Sequence, residues 1–217
     1  MKRYAAFFDL DDTLLTSSSG KLFIQYSYQH NLISHNELLY GMAMFLVHRL
    51  GFIKTEGLVR KWAMKYQGWP EKKMLDFANN FFHEVLVHHF RNSMTGEIEH
   101  HKKNGGLTVL LSASTSFLCE MVRDHFKMDD IICTTLALDS GFYTGQLAGE
   151  YCYGAEKLNR AVAYCTKRGF SMSDAYYYAD SFADVPVFEL VGYPVCVNPD
   201  RRLKRLARTR GWRSIRH

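Results

Sequence analysis

Apolar and polar positions follow two rhythms along this chain. Residues 4–10 (YAAFFDL) are nearly continuous in apolar side chains, the pattern of a strand buried on both faces. Residues 20–92 then read as helices. Ser34 followed by Glu37 has capping-box spacing and opens an apolar helix running toward Leu50. Residues 55–66 predict a shorter helix. Pro70 starts another, with Met74, Phe77, Phe81 and Val85 at helical spacing. The aromatics of this segment (Phe23, Tyr26, Phe45, Trp62, Phe77, Phe82) read as its own core.

Beyond residue 92 the rhythm alternates. Helices are predicted over 95–104, 116–126, 155–168 and 183–191. Strands are predicted in GGLTVLLSAS (105–114), 131–138, AYYYAD (175–180) and YPVCVN (193–198), and DSGFYTGQLAG (139–149) reads as a β-hairpin punctuated by Gly145 and Gly149. Alternating strands and helices imply an α/β fold: a three-layer, doubly wound parallel sheet covered by helices. The helical stretch interrupts that pattern after the first strand. The expected organisation is therefore an α/β core of residues 1–15 plus 93–217 and an inserted helical cap of residues 16–92.

Composition narrows the class. With 47% hydrophobic and 23% charged residues among 217, the chain is globular and long enough for one core plus an insert. Its net charge of +5 is local: Arg201, Arg202, Lys204, Arg205, Arg208, Arg210, Arg213 and Arg216 crowd the last stretch. That stretch reads as a solvated, partly helical end, and no nucleic-acid partner is expected. The five cysteines show no C-x-x-C or Cys/His zinc spacing and read as reduced, mostly buried thiols of a cytoplasmic protein. Asp9 ends the first apolar run well short of a signal sequence. The longest apolar run, Leu38–Val47, is too short to span a bilayer, which leaves contact with a membrane surface as a lesser alternative. His100 and His101, on the helix before the second strand, read as exposed or capping residues.

Candidate chemistry begins where the first strand ends. Asp9 and Asp11 are two apart on an extended chain and so face one pocket. A second acidic pair, Asp180 and Asp184 in ADSFAD, follows a later strand, and parallel order brings both pairs to one sheet edge. Four carboxylates without histidine or cysteine companions call for a hard, oxygen-liganded cation, Mg2+. Lys157, just inside a helix, and Ser112, near a strand end with Ala113 and a helix start after it, offer groups suited to phosphate.

FDLDDT, LLSAS, Lys157 and ADSFAD occur in the order of the four motifs of the haloacid dehalogenase-like superfamily: D-x-D-x-T, a strand-end serine, a lysine and D-x-x-x-D. With its insert between the first and second motifs, the chain resembles the phosphoserine phosphatase-like branch (subfamily IB), whose members carry a C1-type helical cap. GFYTG, VPVFELVGYPVCVNPDRRL and RGW extend the match. The resemblance implies a Mg2+-dependent phosphomonoesterase. Asp9 would be the nucleophile that forms an aspartyl-phosphate, and Asp11 the general acid and then base. The metal would sit on the Asp9 carboxylate, the Asp11 backbone carbonyl and Asp180. Lys157, the Ser112 hydroxyl and the backbone near Ala113 would hold phosphoryl oxygens. Asp184 would orient Lys157 or a water on the metal. Thr13 would shape the turn, in which Asp12 only fills a position.

The substrate reading is coarser. Phosphoserine phosphatases resembling this chain carry a glutamate soon after the first motif, whereas no acidic residue occurs here from Thr16 to Asn36. The expected substrate is a small phosphorylated metabolite, an amino-acid-derived or polyol phosphate. Arg60 is a candidate substrate-facing cation. The alternatives are a lipid phosphate met at a membrane surface, transfer to an alcohol acceptor in place of water, and a catalytically silent binding module on the same fold.

Overall fold

The computed structural model describes residues 4–49 and 56–216, the side chains of residues 45, 46, 48 and 49 excepted. Phe45 as a core ring, Leu50 as a helix end and residue 55 as a helix start therefore lie outside the described residues. The strands are β1 (Ala5–Phe8), β2 (Leu107–Thr115), β3 (Asp130–Thr134), β4 (Leu136–Asp139), β5 (Phe142–Leu147), β6 (Tyr176–Ala179), β7 (Tyr193–Val197) and β8 (Arg213–Ile215). The α-helices are α1 (Ser19–Gln29), α2 (His35–Arg49), α3 (Glu56–Met64), α4 (Glu71–Glu84), α5 (Asn92–Lys103), α6 (Ser116–Phe126), α7 (Ala155–Arg168), α8 (Val185–Phe188) and α9 (Arg201–Arg210).

Two compact units result. One comprises Met1–Thr16, Phe90–Cys133 and Cys152–His217; the other comprises Ser17–His89 and Thr134–Tyr151. The first is built on a sheet of order β3-β2-β1-β6-β7-β8. The β1–β2, β1–β6, β6–β7 and β7–β8 pairs are all parallel. The chain leaves β1 toward β2 and β3, then returns to the other side of β1 with β6. Strand order thus reverses at β1, and its carboxyl end opens into the crevice where ligands bind in such sheets.

Side-chain alternation divides the three tyrosines of β6 between the two faces of this sheet. Tyr177 joins Phe7, Val109, Leu111 and Cys196 in a core closed by Ala161 and Cys165 of α7, Phe188 of α8, and Leu203 and Ala207 of α9. Tyr178 faces the opposite way, stacked on Phe8 with ring centroids 4.6 Å apart. Against this second face lies His101 of α5, which is buried. The sequence reading took it as exposed or capping; the helix instead turns it inward, where two tyrosines meet its ring nitrogens. Its Nδ1 lies 2.9 Å from the Tyr4 hydroxyl and its Nε2 2.9 Å from the Tyr178 hydroxyl. Tyr178 donates its proton to Glu97 (2.7 Å). His101 must then donate from Nε2, and burial, which lowers its pKa, favours the neutral ring with Nδ1 accepting from Tyr4. Arg213 of β8 completes the chain, donating to the other oxygen of Glu97 at 2.7 Å.

Two further features depart from the sequence expectation. Residues 131–138 are two strands, β3 in the large sheet and β4 in the hairpin. The basic end contains the expected helix α9, but it then returns as β8 alongside Val195–Val197. Where the chain enters β7, Gly192 is required by close approach: a Cβ there would stand 1.9 Å from the Ser173 carbonyl oxygen.

In the second unit the predicted capping box is reciprocal. Glu37 Oε2 accepts from the Ser34 N–H (2.7 Å), and Ser34 Oγ from the Glu37 N–H (3.3 Å). Phe23 meets Trp62, Phe77 and Phe81 edge-on, an aromatic core for these helices. The β4–β5 hairpin, assigned from sequence to the catalytic core, groups with this helical unit. The reason is main-chain pairing. Gly68 N–H donates to the Tyr143 carbonyl (2.8 Å), Tyr143 N–H to the Trp69 carbonyl (2.9 Å) and Glu71 N–H to the Gly141 carbonyl (2.9 Å). Gly145, at φ +80°, leaves room for the Gln67 side chain and the Met64 backbone.

Burial lowers the His101 pKa to about 4 from its ordinary value near 6.5, with neighbouring His100 adding to the shift. A histidine depressed in the folded state stabilises fully above its unfolded value, and that stability is lost as pH falls toward the folded one. The expected result is that the melting-temperature advantage of wild type over His101→Gln is largest near pH 7 and shrinks as pH falls from about 6.5 to about 4. Thermal unfolding across that range checks this; a constant difference would contradict it.

Candidate active site

Asp9 follows β1 directly, its N–H donating to the Tyr178 carbonyl at 2.9 Å. The next residues make a single wide turn, Leu10–Leu14, closed by the Leu15 N–H on the Leu10 carbonyl (3.0 Å). Within it Asp11 is extended (φ −68°, ψ 134°) and Asp12 is left-handed (φ 53°, ψ 0°). Aspartate tolerates that conformation better than most residues, which gives a backbone reason for Asp12. Thr13 is fully buried in the turn, and its hydroxyl finds no hydrogen-bond partner among the described residues. Arg91 grips the turn from outside, donating to the Leu15 carbonyl (3.1 Å) and the Asp12 carbonyl (3.5 Å).

Parallel register carries the other motifs to the same edge. Phe8 is level with Leu110 of β2 and with Tyr178 of β6. Asp9, Ser112 and Asp180 therefore follow within two residues of one level across three adjacent strands. Ser112 is buried, its hydroxyl accepting from the Ser114 N–H at 3.1 Å. Its strand runs on to Thr115, so Ser112 precedes the strand end proper. The loop after β6 is held by Asp200. The Asp200 N–H donates to the Asp180 carbonyl (2.9 Å), and Asp200 Oδ2 accepts from the Phe182 N–H (2.7 Å). Asp200 Oδ1 meanwhile caps α9 through the N–H groups of Arg202 and Leu203, each at 2.8 Å.

Lys157, in the first turn of α7, enters this edge as a buried cation. Its ammonium donates to Asp9 Oδ1 (2.8 Å), Asp184 Oδ1 (2.9 Å) and the Tyr177 hydroxyl (3.3 Å). The Tyr177 hydroxyl donates in turn to Asp184 Oδ1 at 2.8 Å. Burial opposes the charge on Lys157, but Asp184 and Asp9 outweigh it and hold the pKa well above the ordinary lysine value. Asp9 is pushed up to about 7, first by burial; Lys157 pulls it down, while Asp184 and Asp11 push it further up. Asp180 is also raised well above the carboxylate range, by burial and then by the charges of Asp9, Asp12 and Asp184.

The charge balance of this cluster is unequal. Asp9, Asp180 and Asp184 each offer a carboxylate oxygen, and the three oxygens lie within 4.8 Å of one another, with Lys157 beside two of them. An all-oxygen donor set with surplus negative charge fits a hard divalent cation. The sequence-predicted residues Asp9, Lys157, Asp180 and Asp184 are thus brought together directly. Asp11 reaches Asp9 through its charge, and Ser112 with Ala113 shares the edge by register. Asp184, expected in a supporting role, is one of the three converging carboxylates. Asp12, set aside as a turn filler, acts on Asp180 through its charge. Arg60 pairs with Glu56 at 2.9 Å and Glu150 at 3.5 Å within its own unit.

Three site residues had no sequence signal read from them. Tyr177 was one of three strand tyrosines, and its period-2 position does predict the core face. Arg91 lies far along the chain from the turn it holds. Asp200 stands just before a helical run as an N-cap does, which is the signal that identifies it.

Comparison with known proteins agrees with this geometry. Residues 6–189 match the family of haloacid dehalogenase-like hydrolases. The chain is 31% identical over 216 residues to an "inhibition of morphological differentiation protein" of Streptomyces azureus, covering 98% of this chain and 78% of that one. It is 26% identical over 212 residues to a histidinol-phosphatase of Neisseria meningitidis serogroup C, covering 95% and 96%. Among solved structures, a protein of unknown function from Bordetella pertussis superposes with a TM-score of 0.90 at 23% identity, covering 99% of both chains. A phosphoserine phosphatase solved as a phospho-aspartyl intermediate analogue superposes with a TM-score of 0.71 at 16% identity, covering 94% of this chain and 91% of that one. With its four motif positions on one sheet edge and the family match spanning most of its length, the chain belongs to the haloacid dehalogenase-like hydrolase family.

Proposed function

We propose that this phosphatase is a Mg2+-dependent phosphomonoesterase that works through an aspartyl-phosphate on Asp9 and acts on a small phosphorylated metabolite. The observation that carries the reading is the buried ammonium of Lys157 lying 2.8 Å from Asp9 Oδ1, beside three converging carboxylates. Lys157 opposes the burial that would neutralise the Asp9 carboxylate, at the carboxyl end of β1.

The chemistry follows from these residues. An Asp9 oxygen attacks phosphorus; the new P–O bond forms as the bond to the leaving oxygen breaks. Asp11 gives its proton to the leaving oxygen, then removes one from the water that attacks the phospho-Asp9 phosphorus, releasing phosphate and restoring Asp9. Lys157 offsets the charge of the phosphoryl oxygens, and the Ser112 hydroxyl and the Ala113 N–H orient them. Asp9, Asp180 and the Asp11 carbonyl would hold Mg2+, with Asp184 in reach. When bound, the ion offsets the mutual repulsion of nucleophile and phosphate. The histidinol-phosphatase relative supports an amino-acid-derived phosphate as the substrate class. A second reading, a lipid phosphate, is favoured by the exposure of Leu39 (56%) and Tyr40 (52%) on α2. A panel of phosphorylated amino alcohols, polyols and lysophospholipids, assayed by released phosphate, separates the two. Turnover confined to the lipids would replace the first reading with the second.

Three experiments test the chemistry. With a generic aryl phosphate, chelation of divalent cations should abolish phosphate release and Mg2+ restore it. Asp9→Asn should reduce kcat by about 10³-fold or more while leaving the fold intact; activity retained by that variant would remove the nucleophile. Lys157→Ala should lower kcat/KM by about 10²-fold or more. It should also lower stability by about 3–5 kcal/mol in denaturant titrations near neutral pH, because Asp9 and Asp184 lose their shared buried cation. Unchanged stability would contradict the burial account.

A further inference from the structure

We propose that the Tyr177 phenol is a positioning group for the reaction centre, fixing Asp184 and the Lys157 ammonium in one rigid arrangement. Tyr177 touches neither of the groups assigned to bond making, Asp9 and Asp11, in any hydrogen bond described above; it acts through its neighbours. Its hydroxyl donates to Asp184 Oδ1 at 2.8 Å and accepts from Lys157 at 3.3 Å. Lys157 also donates to Asp184 Oδ1, at 2.9 Å. The three groups therefore form a closed triangle with a donor and an acceptor matched on every side.

The triangle has chemical consequences. An ammonium carries three protons, and here they meet three acceptors: Asp9 Oδ1, Asp184 Oδ1 and the phenol oxygen. With the third proton occupied, the ammonium is held beside the nucleophile with little freedom to rotate. Asp184 Oδ1 is engaged by two donors, which leaves Oδ2 as the oxygen available to a cation. Hydrogen-bond partners behind a ligand set its orientation, and their loss commonly costs about 10–100-fold in metal affinity or activity. The ring is a rigid mount for the hydroxyl: Tyr177 is fully buried in the strand core, its ring 5.0 Å from that of Phe188. Two rotatable bonds place the phenol, and both are locked by packing.

This inference rests on the proposed metal-assisted chemistry, so its test includes a readout free of turnover. Mn2+ binding is measured by calorimetry without substrate, on wild type, Tyr177→Phe, Asp184→Asn and the double variant, alongside kcat and KM for an aryl phosphate. The phenylalanine keeps the ring and removes only the hydroxyl. Tyr177→Phe is expected to weaken Mn2+ binding by about 10-fold and to lower kcat by a similar factor, with KM changed by less than about twofold. In the Asp184→Asn background the same substitution should add less than about twofold to the loss of Mn2+ affinity, because the route from the phenol to the cation runs through Asp184. Unchanged Mn2+ affinity in Tyr177→Phe, or losses that multiply in the double variant, would overturn the proposal. If Tyr177→Phe does not fold, Tyr177→Met offers a smaller, flexible apolar side chain that also lacks the hydroxyl. Failure of both to fold would make the hydroxyl a stability element and also overturn the proposal. Failure of the nucleophile reading is registered separately, by activity in Asp9→Asn, and leaves the Mn2+ comparison intact.

Discussion

A single buried cation governs this molecule. Lys157 sits between Asp9 and Asp184 with almost no exposure, at a desolvation cost of several kcal/mol per ion. Such a group survives only where its partners are held in place. The backbone supplies that: β1 and β6 are hydrogen-bonded neighbours, and the Asp9 N–H is tied to Tyr178 on the adjoining strand. The lysine restrains the two carboxylates it touches, while burial and the charges of Asp9, Asp12 and Asp184 outweigh its effect on Asp180. A site so arranged is short of positive charge, which is the condition for accepting a divalent cation.

The rest of the first unit can be read as the support for that arrangement. The reversal of strand order at β1 opens the crevice, and α7 delivers the lysine into it. Two faces of β6 are used differently. Tyr177 looks into the α7 face and touches Lys157, whereas Tyr178 looks toward α5 and joins a network that runs from buried His101 through Glu97 to exposed Arg213. That network reaches β8, so the basic end of the chain also helps close the fold. Asp200 performs two tasks with one side chain, capping α9 and holding the loop that carries Asp180 and Asp184.

Local signals were legible in the sequence where local forces decide the outcome. The bounds of α6 and α7 follow from apolar spacing, and the Ser34–Glu37 cap from a spacing of three. Asp9, Lys157, Asp180 and Asp184 were legible through motif order, because parallel topology turns chain order into proximity. What was not legible depends on distant partners. His101 is inside because Tyr4, just before β1, and Tyr178 of β6 satisfy it. β8 exists because β7 offers an unpaired edge. The hairpin joins the helical unit because residues 68–71 offer main-chain groups to residues 141–143. Tyr177 was visible as a buried strand residue, but its hydroxyl acquires meaning only beside Lys157 and Asp184.

The central claim is that the Lys157-paired carboxylate of Asp9 takes up the phosphoryl group. The most direct test is acid quenching within the first turnover of an aryl phosphate, followed by mass spectrometry of the peptide that contains Asp9. The account requires one phosphoryl group on that peptide, removed by hydroxylamine as an acyl phosphate is. A phosphoryl group found on another residue, or phosphate released at full rate with Asp9 never modified, would contradict it.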